Sequence, residues 1–413
     1  LGDVTDNSAN AKAFAKVAEK YINNAAGTAI STDTTELDPG YYLIVDTTET
    51  LGDYDAYNLS LLQVTGDEIT IANKTDKPTG EKKVKDVNDS DATESDWQDS
   101  ADYDIGDHVP FQLKATLPNN VADYKTYNLV FNDTLSNGLT YDAGTLKVYV
   151  NGTEITTGYT LSEPTSAGGT LTITFADVKA GGVGAGNGDI ITVEYTATLN
   201  ENAVIGSTGN SNKLNLTYSN NPNNGGEGDT GTTPDDTVIV FTYKVVVNKV
   251  DENKDALAGA GFTLYKLVPN PDYDSAIEGS EEFIYTEIKK LTAGADTTFT
   301  FSGLDDGKYK LVESETPSGY NTIDPIEFTV TAEHEILSDN PTLTSLSGTA
   351  ATGEITFTSS VPDGSLTTDV ENKSGSTLPE TGGMGTRVLY TLGGILVLAA
   401  LVLLVTKRRM NNN

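Results

Sequence analysis

Residues 307–320 read GKYKLVESETPSGY, and residues 40–46 read GYYLIVD. In each, a turn glycine leads into a tyrosine, an aliphatic residue follows two positions later, and a carboxylate two beyond that. Side chains of a strand alternate between its faces, so Tyr309, Leu311 and Glu313 share one face, and Tyr42, Ile44 and Asp46 share the corresponding face of the other strand. An acid at the end of an apolar face is costly to bury unless partners meet it. The first stretch therefore predicts a β-domain with a polar group in its core, and the second predicts the back half of a related domain near the N-terminus.

The same two-residue alternation runs outward from there. Strand-like segments HVPFQLKATL, YNLVFNDTL, LKVYVNG, GTLTITFADV, DIITVEYTATL and KLNLTYSN fill residues 81–220, separated by SNG, NG, AGG and GNG turns. Short strands at this spacing predict a β-sandwich. Residues 221–236 (NPNNGGEGDTGTTPDD) cannot pack a core and read as a linker, and VIVFTYKVVVNKVD opens a second strand-rich unit. Near the N-terminus, residues 12–26 (KAFAKVAEKYINNAA) read as a short amphipathic helix ahead of strands, and residues 74–80 (KTDKPTG) as a polar joint. The expected division is a partial N-terminal domain over 1–75, a middle sandwich over 76–222, a linker over 223–237, a C-terminal sandwich over 238–373 and a terminal segment over 374–413.

Composition excludes several functions. The 413 residues carry 26 Lys+Arg against 60 Asp+Glu, a net charge of −34, which repels a phosphate backbone and argues against nucleic-acid binding. With no cysteine there are no disulfides or thiolate sites, and two histidines, His108 and His334, leave little for a metal cluster or triad. No cofactor and no metal site is expected. Asp251–Asp255 and Asp86–Ser90 imitate the start of a calcium loop, but Ala256 and Asp91 stand where its glycine belongs, and Phe262 and Trp97 where its glutamate belongs. Both read as polar turns. The glycine-rich run 181–188 has no following Lys-Ser/Thr and reads as a hairpin loop.

The C-terminus is the most specific signal. Residues 388–405 (VLYTLGGILVLAALVLLV) form an uncharged run long enough for one transmembrane helix, followed at once by Lys407, Arg408 and Arg409. That orientation places residues 1–386 outside the cell. Just before it stand Leu378, Pro379, Glu380, Thr381 and Gly382. This order resembles the cell-wall sorting signal of Gram-positive surface proteins. The resemblance implies that a sortase attacks the Thr381 carbonyl, releases Gly382 onward and attaches the chain to peptidoglycan. The sequence starts without an initiator Met or an export signal, so an exported chain is expected to lack its beginning here.

The stretch from Tyr309 to Tyr320 resembles the E-box of Cna-B-type pilin domains. Val245, Val247 and Lys249 share a face of that unit's first strand, LAGAGFTLYK follows, and the last strand ends at Asn372. The resemblance implies a self-forming isopeptide bond between Lys249 and Asn372, with Glu313 as its acid. Burial disfavours charge, leaving a core lysine as a neutral amine and a core acid protonated. The middle unit, including TLSNGLTY after Asp133, is similar to the middle domain of Gram-positive backbone pilins. It implies Lys82, Asp133 and Asn212 in the same roles, with Lys83 as rival nucleophile and Asn210 or Asn215 as rival acceptors. Lys82 is preferred because Val84 shares its face. In the first domain, Asp46 and Asn73 are candidates for an acid and an acceptor whose lysine would lie upstream.

Backbone pilins also carry an acceptor lysine at the joint of their first two domains. Lys74 occupies that place, with Asn73 where a proline is usual, and Lys77 is the fallback. The whole chain resembles the major shaft subunit of sortase-assembled pili. The fold expected is mostly β: tandem immunoglobulin-like, Cna-type sandwiches with a short N-terminal helix and one C-terminal transmembrane helix. The resemblance implies a structural, non-enzymatic protein of the cell wall and surface. Its implied partners are sortase, other copies of itself head to tail, ancillary or tip pilins, and peptidoglycan. The alternatives are a monomeric wall-anchored adhesin or stalk and, from another class, a wall-anchored hydrolase, for which no segment offers convergent acids.

Overall fold

A computed structural model of the chain describes residues 14, 17, 18, 27, 37–45, 59–64, 76–222 and 229–375. Of the expected N-terminal helix, Phe14, Val17 and Ala18 are described and are helical. The remaining helix residues, Asp46, Asn73, Lys74, the sorting signal at 378–382 and the apolar run at 388–405 lie outside the described residues. In the N-terminal part, the strand Gly40–Val45 pairs antiparallel with Leu59–Val64.

The middle domain is a sandwich of two sheets. One sheet orders the strands Thr153–Ile155, Lys147–Val150, Ile190–Leu199, His108–Thr116 and Thr79–Val84, with Leu139–Tyr141 also paired to Ile190–Leu199. The other orders Thr160–Ser162, Gly169–Phe175, Leu129–Leu135, Asn210–Ser219, Asp236–Phe241 and Ser100–Asp102. Alternation decides which side chains face the core. Val109, Phe111, Leu113 and Ala115 are fully buried, as are Ile191, Val193, Ala197 and Leu199 opposite Phe131, Ile173 and Leu216.

The C-terminal domain packs a four-stranded sheet against a five-stranded one. The first runs Thr298–Leu304, Tyr243–Asp251, Ser365–Asn372, Thr358–Ser360; the second runs Phe283–Leu291, Gly261–Pro269, Gly307–Glu315, Ile326–His334, Leu343–Ala350. Its first and last strands, Tyr243–Asp251 and Ser365–Asn372, lie side by side and parallel, with Lys249 opposite Val370. Tyr309, Leu311 and Glu313 all turn inward.

The expected linker differs from what the chain does. Thr230–Thr232 and Asp236–Phe241 both pair with Asn210–Ser219, so the middle sheet extends to Phe241, and Thr242 alone separates it from the next domain's first strand. Val238 and Val240 supply the inward residues that hold this strand down. With so short a connection, the two sandwiches press together. Asp99 donates its backbone N–H to the Ile336 carbonyl (2.9 Å) and Ile105 to the Gly303 carbonyl (3.0 Å). Gly303 has φ +80°, and a Cβ there would sit 2.6 Å from Ile105, so only glycine allows this approach.

The turn at 86–90 lies in this joint. The Ser90 hydroxyl accepts the Lys308 N–H, Asn88 donates to Asp306, and the Lys266 ammonium meets Asp89 (3.1 Å), Asp104 (2.5 Å) and Asp305 (3.1 Å). His334 stands between Asp86 and Asp102, each 3.6 Å away, with its Nδ1 2.7 Å from the Ser100 hydroxyl.

Candidate functional site

Each sandwich buries a lysine, an acid and an asparagine in its core. In the middle domain Lys82, Asp133 and Asn212 are all fully buried. Lys82 comes from the edge strand of one sheet. Asp133 and Asn212 come from neighbouring strands of the other, whose inward positions place them on the same face. The Lys82 ammonium donates to Asp133 Oδ1 at 2.5 Å and lies 5.0 Å from the centre of the Phe111 ring. Its pKa is lowered, because loss of water outweighs the attraction of Asp133 and Asp236.

Sequence reasoning missed Tyr195. It sits on the inward face of Ile190–Leu199, donates its hydroxyl to Asp133 Oδ2 and accepts the Asn212 Nδ2–H at 2.7 Å. Burial, then the Asp133 charge, pushes its hydroxyl pKa well up, so it remains a donor. The Asn212 carbonyl oxygen is buried without a hydrogen-bond partner. The sequence signal was present: a tyrosine in register with Val193 and Ala197 brings a hydroxyl into an otherwise apolar face.

The rivals are placed elsewhere. Lys83 is part-exposed on the opposite face and pairs with Asp99. Asn210 is buried but engaged with Val204 N–H (2.8 Å), the Val204 carbonyl (3.2 Å) and the Val240 carbonyl (3.1 Å). Asn215 holds Asp235 and Asn132 on the outer face.

In the C-terminal domain Lys249 and Asn372 are fully buried and Glu313 nearly so. Lys249 and Asn372 lie on adjacent parallel strands, while Glu313 reaches in from the opposite sheet. Here the acid meets the asparagine directly: Asn372 Nδ2 donates to Glu313 Oε1 at 2.8 Å. Glu313 Oε2 accepts the Thr316 hydroxyl (3.3 Å) and the Ile323 N–H (3.1 Å), which fix the carboxyl's orientation. The Lys249 ammonium donates to the carbonyls of Val370 (2.8 Å) and Val250 (3.1 Å). Burial brings its pKa down to about 8, against the pull of Glu313, Glu371 and Asp251. The Asn372 carbonyl oxygen, like that of Asn212, has no hydrogen-bond partner. Of the two candidate acceptor lysines at the first joint, Lys77 is described and its side chain is exposed.

Three family models match the chain. Residues 105–222 match a Gram-positive pilin backbone subunit, Cna-B-like domain; 243–342 match a prealbumin-like fold domain; and 370–412 match an LPXTG cell wall anchor motif. These are the domains of a Gram-positive backbone pilin. The anchor motif places the chain at the cell wall and surface. Over 274 residues it is 27% identical to the trypsin-resistant surface T6 protein of Streptococcus pyogenes, a match covering 52% of this chain and 48% of that protein. The chain thus spans about half the length of that curated relative. The solved T6 backbone pilin of S. pyogenes, described as a modular three-domain structure, shares the fold at a TM-score of 0.53 and 19% identity, covering 84% of each chain. A C-terminal fragment of the major pilin of Streptococcus agalactiae is 26% identical at a TM-score of 0.45, covering 62% of this chain and 91% of that fragment.

Proposed function

We propose that this backbone pilin is the shaft subunit of a covalently polymerised surface pilus, hardened by self-formed isopeptide bonds Lys82–Asn212 and Lys249–Asn372. One observation carries the reading: two separate sandwiches each place a lysine and an asparagine, fully buried, beside an acid. Burying such a set costs free energy that ordinary packing does not recover, whereas an amide leaves no charge behind.

The chemistry follows from the contacts. Turning the Asn372 amide over brings its unpartnered carbonyl oxygen to Glu313, which in its acid form donates to it and polarises the carbon. The neutral Lys249 amine then attacks. The Nζ–Cγ bond forms, the Cγ–Nδ2 bond breaks, and Glu313 carries a proton from Nζ to the departing nitrogen, which leaves as ammonia. In the middle domain Asp133 takes the proton from Lys82 directly and reaches Asn212 through the Tyr195 hydroxyl. Each reaction happens once per molecule and is maturation rather than turnover.

The bonds would close loops from 82 to 212, 130 residues, and from 249 to 372, 123 residues. Closing a loop of about 100 residues contributes roughly 4–5 kcal/mol in the chain-entropy treatment. In a chain without cysteine, such links stand where disulfides would otherwise serve. Polymerisation would proceed by attack of Lys74 of one subunit on the sortase acyl-enzyme formed at Thr381 of another. That head-to-tail contact builds fibres rather than rings.

An immunoblot of boiled, detergent-treated wall extract tests the shaft reading, with a Lys74→Ala strain alongside. A regular high-mass ladder that collapses in the mutant is expected. A ladder in both strains keeps the shaft and moves the acceptor, with Lys77 next in line. A single wall-linked species in the wild type would replace the shaft with a monomeric adhesin or stalk.

A further inference from the structure

We infer that the joint between the two sandwiches is a cation site, binding a divalent ion of the calcium class through Asp102, Asp305 and Asp306 beside the Tyr243 hydroxyl. Seven aspartates meet at this joint, Asp86, Asp89, Asp102, Asp104, Asp107, Asp305 and Asp306, against the two protein cations Lys266 and His334. Those cations are already placed. Lys266 sits among Asp89, Asp104 and Asp305 Oδ2, and His334 between Asp86 and Asp102 Oδ1. Asp306 Oδ1 is occupied by the Asn88 amide.

What remains is a set of buried oxygens without a hydrogen bond of ordinary length. Asp102 Oδ2, Asp305 Oδ1 and the Tyr243 hydroxyl are buried with no hydrogen-bond partner. Their residues are 2%, 0% and 1% exposed, so bulk water does not serve them either. Tyr243 pairs with Leu304, next to Asp305 in the chain; its hydroxyl faces Asp102, toward which it is the nearest donor, and lies in the field of Asp305 and Asp306, which leaves Asp305 Oδ1 unserved. One carboxylate oxygen from each aspartate lies within 4.8 Å of the others. Two oxygens on opposite sides of a calcium ion, each about 2.4 Å from it, are separated by about that distance.

An all-oxygen set of carboxylates and a phenol suits a hard cation, and a buried set of protein oxygens suits calcium better than magnesium, which dehydrates reluctantly. Asp102 belongs to the middle domain and the other three residues to the C-terminal one. The ion would therefore tie the two domains at a joint where one residue connects them.

The test uses the full chain, stripped with EDTA and titrated with CaCl2 in potassium chloride buffer by calorimetry. Thermal unfolding is then compared in CaCl2 and in EDTA. One saturable calcium site per chain and a raised unfolding midpoint are expected. Asp306→Asn should weaken that site about tenfold or more, since affinity follows ligand charge. Asp272→Asn, in an exposed loop, should leave it unchanged. Tyr243→Phe supplies a second variant should Asp306→Asn not fold, and it too should weaken the site. Equal midpoints with no saturable binding would overturn the site and leave the joint neutralised by protons. Binding that survives both joint variants would assign the calcium to diffuse surface acids instead.

Discussion

The two buried clusters hold the same three residue types but wire them differently. In the middle domain the acid grips the lysine, and a tyrosine relays it to the asparagine across the sandwich. In the C-terminal domain the acid grips the asparagine, and the lysine is held by two backbone carbonyls on the neighbouring parallel strand. A proton can pass from Lys82 straight to its acid. Lys249 must give its proton up with no acid in hydrogen-bond contact, so its own pKa governs. The two bonds would also carry load differently. Lys249 and Asn372 stand near the two ends of their domain. Asn212 is followed by two more strands, Thr230–Thr232 and Asp236–Phe241, which stay outside the closed loop.

The largest test of this contrast removes one acid at a time. Glu313→Gln should leave the C-terminal bond unmade while the middle bond still forms, lowering that domain's stability by roughly 4–5 kcal/mol. For a domain of this size, that is on the order of 10–20 °C in unfolding temperature. Calorimetry should show one transition moved and the other in place. Both moving together would mean that the clusters are not independent.

Acidity should separate the clusters next. The rate of C-terminal bond formation, followed by mass on refolding unreacted chain, should hold level up to about pH 8 and fall above it, where Lys249 is already neutral and further base only depletes the acid form of Glu313 that the step also needs; the middle domain should respond less. The stability of the unreacted domain has a definite sign. A lysine pKa depressed from 10.5 to about 8 means the folded state binds fewer protons than the unfolded one in that interval. Stability then falls as pH drops from 10.5 to about 8 and is flat below it with respect to this group. A C-terminal rate that keeps rising above pH 8 would contradict the pairing of a neutral Lys249 with an acid Glu313.

Tyr195→Phe sharpens the middle cluster. Losing the relay should slow that bond by roughly 10–100-fold, a fraction of a general acid–base contribution, and leave the C-terminal bond untouched. An unchanged rate would make Tyr195 a packing residue. Among the rivals, Asn210→Ala should cost about 1–3 kcal/mol by orphaning buried backbone groups, without changing the chain's mass chemistry. Lys83→Ala leaves the nearly buried Asp99 carboxylate without its cation and should cost about 1–3 kcal/mol, with both isopeptide bonds still formed.

Much of this was legible because strand alternation is a strict geometric rule. The run from Tyr309 to Glu313 had to put an acid inside, and Lys82 had to share a face with Val84. Tyr195 escaped notice because a tyrosine among valines reads as core, and only its neighbours in space reveal what its hydroxyl meets. The end of the middle sheet escaped for a related reason. VIVFTYKVVV reads as one continuous strand, and nothing local marks Thr242 as the residue where one sheet stops and the next begins. The joint was least legible, since its acids at 86–104 and 305–306, together with His334, come together only when the two sandwiches dock. His108, by contrast, remains an exposed side chain paired with Asp142.

The most direct test of the central claim is the intact mass of the chain after folding. The folded chain is expected to weigh less than its sequence by two molecules of ammonia, with peptide mapping linking Lys82 to Asn212 and Lys249 to Asn372. A mass equal to that of the sequence, with all four side chains recovered free, would contradict it.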